Sequence, residues 1–187
     1  MNDKKLKKRV RHSSARQVFL TLAALFALGS VAGWIFEFFV RGIDGGSWVN
    51  PGFLHGPYLP IYGFGVACMY LLTKLPLPIA NKPLKAVVQI LVVSVALTLI
   101  EYIGGLIFVK GFRIPLWDYS HAKGNIQGLI CPLCSLVWTG ASAVYVLFLH
   151  KWIKRLEGVI HKRVFPVAIV AFFYGALSFD CIFTIFL

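Results

Sequence analysis

The sequence predicts an all-α, polytopic transmembrane helix bundle of about five spans, with the N-terminus in the cytoplasm and the C-terminus outside. Hydrophobic residues make up 58% of the 187 residues and the mean hydropathy is +0.77, whereas a soluble domain is about half apolar. The apolar runs are continuous rather than alternating, which excludes a single closed β-barrel. The Lys and Arg residues collect between these runs, so the net charge of +12 indicates a membrane surface rather than nucleic acid as the partner.

The chain begins with a basic segment, residues 1–16, which carries seven Lys and Arg residues. We expect this cytoplasmic tail to lie on anionic lipid headgroups. The apolar run that follows, from Gln17 to Val40, is too long for the core of a cleaved signal peptide and long enough to span a bilayer. It is therefore predicted to be the first membrane helix.

Residues 17–187 are predicted to form a single transmembrane domain. Every span should be helical, because hydrocarbon offers no partner for unpaired backbone groups. The second span is short and is broken by Pro60, Gly63 and Gly65. The predicted spans are about 17–40, 58–75, 85–109, 126–149 and 164–187.

Charge between the spans predicts the orientation. Seven Lys and Arg residues lie in the tail, three in the 74–85 connection and five in the 150–163 connection, against four on the opposite side. Basic residues concentrate on the cytoplasmic side of membrane proteins. The three basic segments are therefore predicted to face the cytoplasm, as an odd number of spans also requires.

Three acidic residues lie inside predicted spans: Glu37, Glu101 and Asp180. At about 1.5 Å of rise per residue, all three fall within roughly 5–12 Å of the outer boundary. Gly29, Gly33 and Glu37 share one helix face, and a small-residue face allows close helix approach. Acids at such a depth mark a polar site or serve as hydrogen-bonding contacts between helices. Their common depth favours the polar site.

The first outer loop, residues 50–65, contains three prolines and four glycines and is not expected to form a regular helix. It should enter the membrane as extended or broken chain, with backbone groups free to bind something polar. His55 lies at its mouth, followed by Pro57 and Tyr62. His55 is either a group that titrates near neutral pH or a surface residue of a structural turn.

The second outer loop carries Trp117 and Asp118, and Asn125 follows a few residues later. Tryptophan suits the headgroup interface, and this alone could account for Trp117. Asp118 is expected either to cap the following turn or to join the polar site. Tyr102 adjoins Glu101 and is grouped with it.

Four cysteines lie in or beside apolar segments and do not form the pattern of a secreted disulfide framework. Cys131 and Cys134 are a C-x-x-C pair that could be redox active, although two small buried residues are the favoured interpretation. No metal-ligand spacing, catalytic Ser-His-Asp set or nucleotide-binding loop is present. The sequence therefore predicts no cofactor, no metal and no ATPase activity of its own.

Four motifs follow one another along the chain: Gly-Trp-Ile-Phe-Glu at 33–37, His-Gly-Pro-Tyr-Leu-Pro-Ile-Tyr-Gly-Phe-Gly at 55–65, Glu-Tyr at 101–102 and Trp-Asp-Tyr-Ser at 117–120, with Asn125 to Cys131 after them. In these motifs the chain resembles the CmpB-like, type IV family of bacterial ABC-transporter permeases, from about residue 33 to 140. The resemblance implies a transport role, a separate ATPase and the bacterial cytoplasmic membrane. This chain has Leu129 where the family often has Arg, and Thr139 where it often has Gly.

The predicted function is a permease subunit, without enzyme activity, that moves a small polar or cationic solute through a site in the outer half of the bundle. A bundle of this size is expected to pair with a second copy or a partner permease, and to bind a separate ATPase. The predicted binding residues are Glu37, His55, Pro57, Tyr62, Glu101, Tyr102, Trp117, Asp118, Asn125 and Asp180.

Two other functions fit the same residues. The first is an outer-leaflet enzyme that acts on a lipid by acyl or phosphoryl transfer, with His55, Glu101 and Asp118 as acid, base and orienting group. The second is a scaffold without a substrate, in which the polar residues only join helices.

Overall fold

The chain is built from apolar helices connected by two irregular segments at one end. A computed structural model describes residues 15–45, 48–114, 116–160 and 165–186, and within them no β-strand is present. One π-helical turn, Leu106–Gly111, extends the helix that starts at Lys82, and another, Tyr145–Leu149, joins the helix that starts at Pro132 to the helix that ends at Ile160. The helices are α1 (Ala15–Gly45), α2 (Pro60–Thr73), α3 (Lys82–Gly105), α4 (Pro132–Val144), α5 (His150–Ile160) and α6 (Phe165–Phe186).

Four continuous helices in the described part of the chain are long and apolar enough to cross a membrane: 15–43, 82–111, 132–160 and 167–184. This confirms the predicted all-α transmembrane fold class. The end that carries residues 48–59 and 112–131 is called the loop end, and the end that carries residues 74–81 and α5 the basic end. The orientation of these ends across the membrane stays a prediction. Residues 1–14 of the basic tail and residues 161–163 lie outside the described residues.

The second predicted span differs from the observed helix. Pro60 and Gly63 do not break it: α2 begins at Pro60 and continues through Gly63 to Thr73. Proline suits the first turn, since its fixed φ is already helical and its missing N–H has no helical partner there. The expectation of broken chain through residue 65 was therefore wrong beyond residue 59. With 14 residues, α2 is roughly 21 Å long, shorter than the hydrocarbon core of about 30 Å.

The fourth predicted span is displaced along the chain. Residues 126–131 are not helical, because Gln127 and Gly128 adopt positive φ values of 56° and 70° in a tight turn. The helix instead starts at Pro132 and continues through the π-helical turn to Ile160. The predicted connection from residue 150 is thus helical as far as residue 160.

Glycines bring α1 and α2 into close contact. A Cβ at Gly33 would overlap the Tyr62 ring, and one at Gly29 would lie 2.9 Å from Val66 Cγ2. From the opposite helix, a Cβ at Gly63 would lie 2.6 Å from the backbone oxygen of Phe26. Small residues at a helix contact allow such close backbone approach in membranes. The predicted small-residue face of the first helix is therefore the surface on which α2 packs.

The core lies between α1, α2, α3 and the π-helical turn after α4. Its buried apolar side chains are Leu25, Met69, Tyr70, Val93, Leu97 and Tyr145. Helix α6 lies outside this core and contacts α1 through Tyr174, which stacks on Phe26 with ring centroids 5.8 Å apart. Its exposed aromatic residues, such as Phe172 and Phe179, form an apolar surface suited to contact with lipid.

We expect Gly63→Ala to destabilise the bundle, because the added methyl group meets the α1 backbone, which cannot move aside. Overpacking of this kind costs about 1–3 kcal/mol. Thermal unfolding of the detergent-purified chain, followed by circular dichroism, should show a lower Tm. The control is Gly140→Ala in α4, where nothing lies within 4 Å of the added Cβ and alanine should raise helix stability by up to ~1 kcal/mol. Equal Tm values for the two variants would contradict the close contact.

Candidate functional site

Glu37 near the end of α1 is held by a tyrosine from α2. The Tyr62 hydroxyl donates a hydrogen bond of 2.5 Å to Glu37 Oε1. Arg41, one turn further along α1, places its Nε 3.7 Å from Glu37 Oε2. The Glu37 side chain is 27% exposed and that of Arg41 is 46% exposed. The pair is therefore partly exposed at the surface of the bundle.

Glu101 of α3 is more deeply buried and is held by two donors from different parts of the chain. It is 4% exposed. The Trp138 indole Nε1–H of α4 donates to Glu101 Oε2 over 2.9 Å, and the Tyr119 hydroxyl donates to Oε1 over 3.1 Å. Burial and the nearby Glu101 raise the pKa of the Tyr119 hydroxyl above its ordinary value, so this loop residue keeps its proton.

The two carboxylates belong to one continuous set of contacts. The rings of Tyr62 and Trp138 lie 5.7 Å apart between centroids and are tilted by 50°. Tyr62 hydrogen-bonds to Glu37 and Trp138 to Glu101, so the ring contact connects the two acids. We call the five residues Glu37, Tyr62, Glu101, Tyr119 and Trp138 the acidic cluster. It joins α1, α2, α3, α4 and the second loop at the loop end.

Asp180 of α6 does not belong to the acidic cluster. It is 7% exposed, and its carboxylate accepts hydrogen bonds from the first loop: from Gly56 N at 2.8 Å, His55 N at 3.2 Å and the Tyr58 hydroxyl at 2.6 Å. Thr184 Oγ1 donates from the same helix over 3.2 Å. Of the three acids predicted to line the polar site, Asp180 contacts the first loop rather than Glu37 or Glu101. We call this arrangement the loop clamp.

His55 occupies the solvent side of the loop clamp. Its Nδ1 lies 3.1 Å from Asp180 Oδ1 and 3.0 Å from Thr184 Oγ1, and its side chain is 66% exposed. Beside it, burial and the Asp180 carboxylate raise the pKa of the Tyr58 hydroxyl. Tyr58 therefore remains a proton donor to Asp180 at physiological pH. The clamp fixes the first loop on α6.

The predicted residues of the second loop build the loop itself. Asp118 accepts from Ser120 N at 2.8 Å and Ser120 Oγ at 3.0 Å, the turn-capping role expected as one alternative. These bonds lower the pKa of Asp118. Asn125 Nδ2 donates to the backbone oxygens of Ser120 and Ala122, and Trp117 Nε1 donates to that of Leu129. These side chains form hydrogen bonds with the backbone of the second loop rather than with the acidic cluster.

The structure thus brings three of the predicted residues, Glu37, Tyr62 and Glu101, into one cluster. Pro57 is exposed on the first loop and Tyr102 is half-buried on α3, and neither belongs to the acidic cluster or the loop clamp. Sequence reasoning missed Trp138 as a site residue. Its signal was a tryptophan in the middle of an apolar segment, where its N–H needs a partner.

Tyr58, Tyr119 and Thr184 were also not selected as site residues. Tyr58 and Tyr119 contact acids that are far away in sequence, and Thr184 contacts Asp180 one helical turn earlier. Nothing at their own positions in the sequence indicates these partners. Across the described residues, no group of three or more His, Cys, Asp or Glu side chains is placed to hold a metal ion.

We expect Asp180→Ala to free the first loop, because the substitution leaves two backbone N–H groups and the Tyr58 hydroxyl without their acceptor. Each buried donor left unsatisfied costs about 1–3 kcal/mol. Hydrogen–deuterium exchange should become faster at residues 54–58 and stay unchanged at the acidic cluster. Asp118→Ala, in an exposed turn of the other loop, is the control and should leave residues 54–58 protected. Unchanged exchange in the Asp180 variant would show that the loop is held by other contacts.

Comparison with known proteins identifies the family of the chain. The family model described as "Putative ABC-transporter type IV" matches residues 24–185, a range that includes the acidic cluster and the loop clamp. No curated protein and no solved structure matches the chain. Since the matched range covers most of the 187 residues, the chain belongs to the CmpB family of type IV ABC-transporter proteins.

Proposed function

We propose that this chain is the membrane-spanning permease subunit of an ABC-type transporter and binds a small polar or cationic solute at the acidic cluster. Membership of an ABC-transporter family and four helices of spanning length support a membrane transporter component. The observation that carries the finer proposal is the meeting of Glu37 and Glu101, from two different helices, around Tyr62 and Trp138.

The charges of the cluster favour a cation. An indole N–H can only donate, so Glu101 Oε2 is an acceptor for Trp138. In their charged forms the two acids carry two negative charges beside one positive charge, that of Arg41. Charges attract more strongly in a medium of low dielectric constant than in water. A solute with one positive charge would neutralise the cluster.

The exposure of the acids gives the proposed site a direction of entry. Glu37, with its side chain 27% exposed, would meet the solute first, and Glu101, at 4%, would hold it more deeply. The loop end would face outside the cell, as the distribution of basic residues predicts. Release on the other side would then require a rearrangement of α3 and α4, which carry Glu101 and Trp138.

The basic end is the proposed contact for a separate ATPase. Glu157 of α5 accepts from the Tyr70 hydroxyl over 2.7 Å and from Lys74 Nζ over 2.8 Å. These hydrogen bonds join the end of α2 to α5. The connection after α2 and helix α5 therefore lie side by side and form one surface. Lys154 and Arg155 on α5 are exposed and would pair with acidic residues of the partner.

The lipid-enzyme alternative gains no support from the geometry. His55 is hydrogen-bonded to Asp180, and Asp118 is hydrogen-bonded to Ser120. Glu101 accepts hydrogen bonds from Tyr119 and Trp138. The three residues therefore do not share a hydrogen-bonded set in which one could act as acid and another as base.

We expect Glu101→Gln to abolish solute binding while leaving the fold intact. The amide oxygen can still accept from Trp138 and its NH₂ can donate to the Tyr119 hydroxyl, so the contacts persist without the charge. Binding can be followed as a change in tryptophan fluorescence when monovalent and amine cations are titrated into the purified chain, with Trp138→Phe as the control that removes the reporting indole. Glu101→Ala should lower the Tm as well. Retained cation binding in Glu101→Gln would show that binding does not depend on the Glu101 charge, whereas no cation binding by the unaltered chain would favour the scaffold alternative.

We expect the tagged protein, purified from its native membrane in mild detergent, to carry a stoichiometric P-loop ATPase that mass spectrometry identifies by its G-x-x-x-x-G-K-[ST] motif. Reversing charge at the basic end (Lys154→Glu with Arg155→Glu) should release the ATPase. Lys123→Glu at the loop end is the matched control and should retain it. A homo-oligomer without any ATPase would contradict the ABC-type proposal.

A further inference from the structure

The first turn of α4 places two free thiols beside each other. Cys131 is the residue that caps α4, and its Sγ accepts a hydrogen bond from Cys134 N over 3.2 Å. Capping positions favour Ser, Thr, Asp and Asn, whose side-chain oxygens are stronger acceptors than a thiol sulfur. Capping alone therefore does not explain a cysteine at this position.

The geometry is suited to a bond between the two sulfurs. Cys131 Sγ lies 3.2 Å from the backbone nitrogen of Cys134. The Cys134 side chain branches from the next backbone atom, so the two sulfurs belong to the same turn. A disulfide needs Cβ atoms about 3.5–4.5 Å apart. Cys131 is not helical but extended, with φ −145° and ψ 157°, and its side chain folds back over the first turn of α4 toward Cys134. Rotation of the Cys134 side chain with a small adjustment at the capping residue can therefore close the pair without unwinding α4.

The two cysteines differ in their access to a reagent. Cys131 is buried, with 4% exposure, and Cys134 is half-buried. An external disulfide would therefore reach Cys134 first.

We propose that Cys131 and Cys134 form a reversible disulfide by exchange with a low-molecular-weight disulfide. The thiolate of Cys134 attacks one sulfur of the reagent, whose S–S bond breaks and releases one thiolate. The Cys131 thiol then loses its proton to solvent, and its thiolate attacks Cys134 Sγ and releases the second thiolate. The pair loses two electrons and two protons, and the reagent is reduced to two thiols.

The thiol pair lies on the helix that contributes to the acidic cluster. Cys134 and Trp138 are four residues apart and so share one face of α4, and Trp138 donates to Glu101 over 2.9 Å. Disulfide formation would fix the first turn of this helix. The oxidation state of the pair is measured directly on the thiols. Disulfide formation can therefore be tested whether or not the chain transports a solute.

The test is a redox titration of the full-length purified chain. The reduced protein is incubated at mildly alkaline pH in mixtures of reduced and oxidised glutathione, quenched with acid and labelled with a maleimide, and its peptides are weighed by mass spectrometry. Cys131 and Cys134 should lose their label together, in a peptide lighter by two hydrogen atoms. Cys68 and Cys181, which lie on other helices, are controls within the chain and should not form this internal bond.

Single variants separate the two steps of the exchange. In Cys131→Ser, reaction should stop at a mixed disulfide between Cys134 and glutathione, whereas in Cys134→Ser the buried Cys131 should remain a labelled thiol. If Cys131 and Cys134 of the unaltered chain stay labelled at every glutathione ratio, or each acquires its own glutathione, the proposal is wrong. The unaltered chain gives this answer even if a variant fails to fold.

Discussion

The close approach of α1 and α2 determines the geometry of the loop end. Tyr62 packs on Gly33, where any Cβ would overlap its ring, and this contact puts its hydroxyl within reach of Glu37 one turn later on the same helix. The same approach lets the Ser30 backbone oxygen accept from Leu59 N over 2.9 Å, which fixes the end of the first loop at the start of α2. A side chain at Gly33 would displace Tyr62 and separate the two halves of the acidic cluster.

Every acid of the bundle interior described above is paired with donors, which is the condition for keeping a carboxylate away from water. Glu101 has two donors from other segments, and Asp180 has donors on both a loop and its own helix. The acidic cluster and the loop clamp nevertheless differ in the kind of groups that their acids bind. The Asp180 carboxylate binds two backbone N–H groups and the Tyr58 hydroxyl of the first loop and so holds that loop. Glu37 and Glu101 instead bind side chains that also contact each other, an arrangement that a solute could enter.

The sequence predicted the helices well because length and apolar content are strong constraints in hydrocarbon. It also predicted the face of α1 that carries Gly29, Gly33 and Glu37. The sequence did not predict which neighbouring helix each acid faces. The depth of a residue follows from its position along a helix, but its neighbours depend on how the helices pack. The separation of Asp180 from the other acids and the role of Trp138 could therefore be seen only in three dimensions. The start of α2 at Pro60 depended on the glycine contact with α1, which favours helix where local composition favours irregular chain.

The loop clamp has a consequence for the order in which the protein is assembled. Asp180 follows His55 by 125 residues and Tyr58 by 122, so α2, α3, α4 and α5 are synthesised between the loop and its acceptor. A ribosome makes about 5–20 residues per second, and the first loop therefore waits several seconds or more for Asp180 to emerge. During that interval the N–H groups of His55 and Gly56 depend on water or on an assembly factor. Insertion of α6 is then the event that completes the loop end.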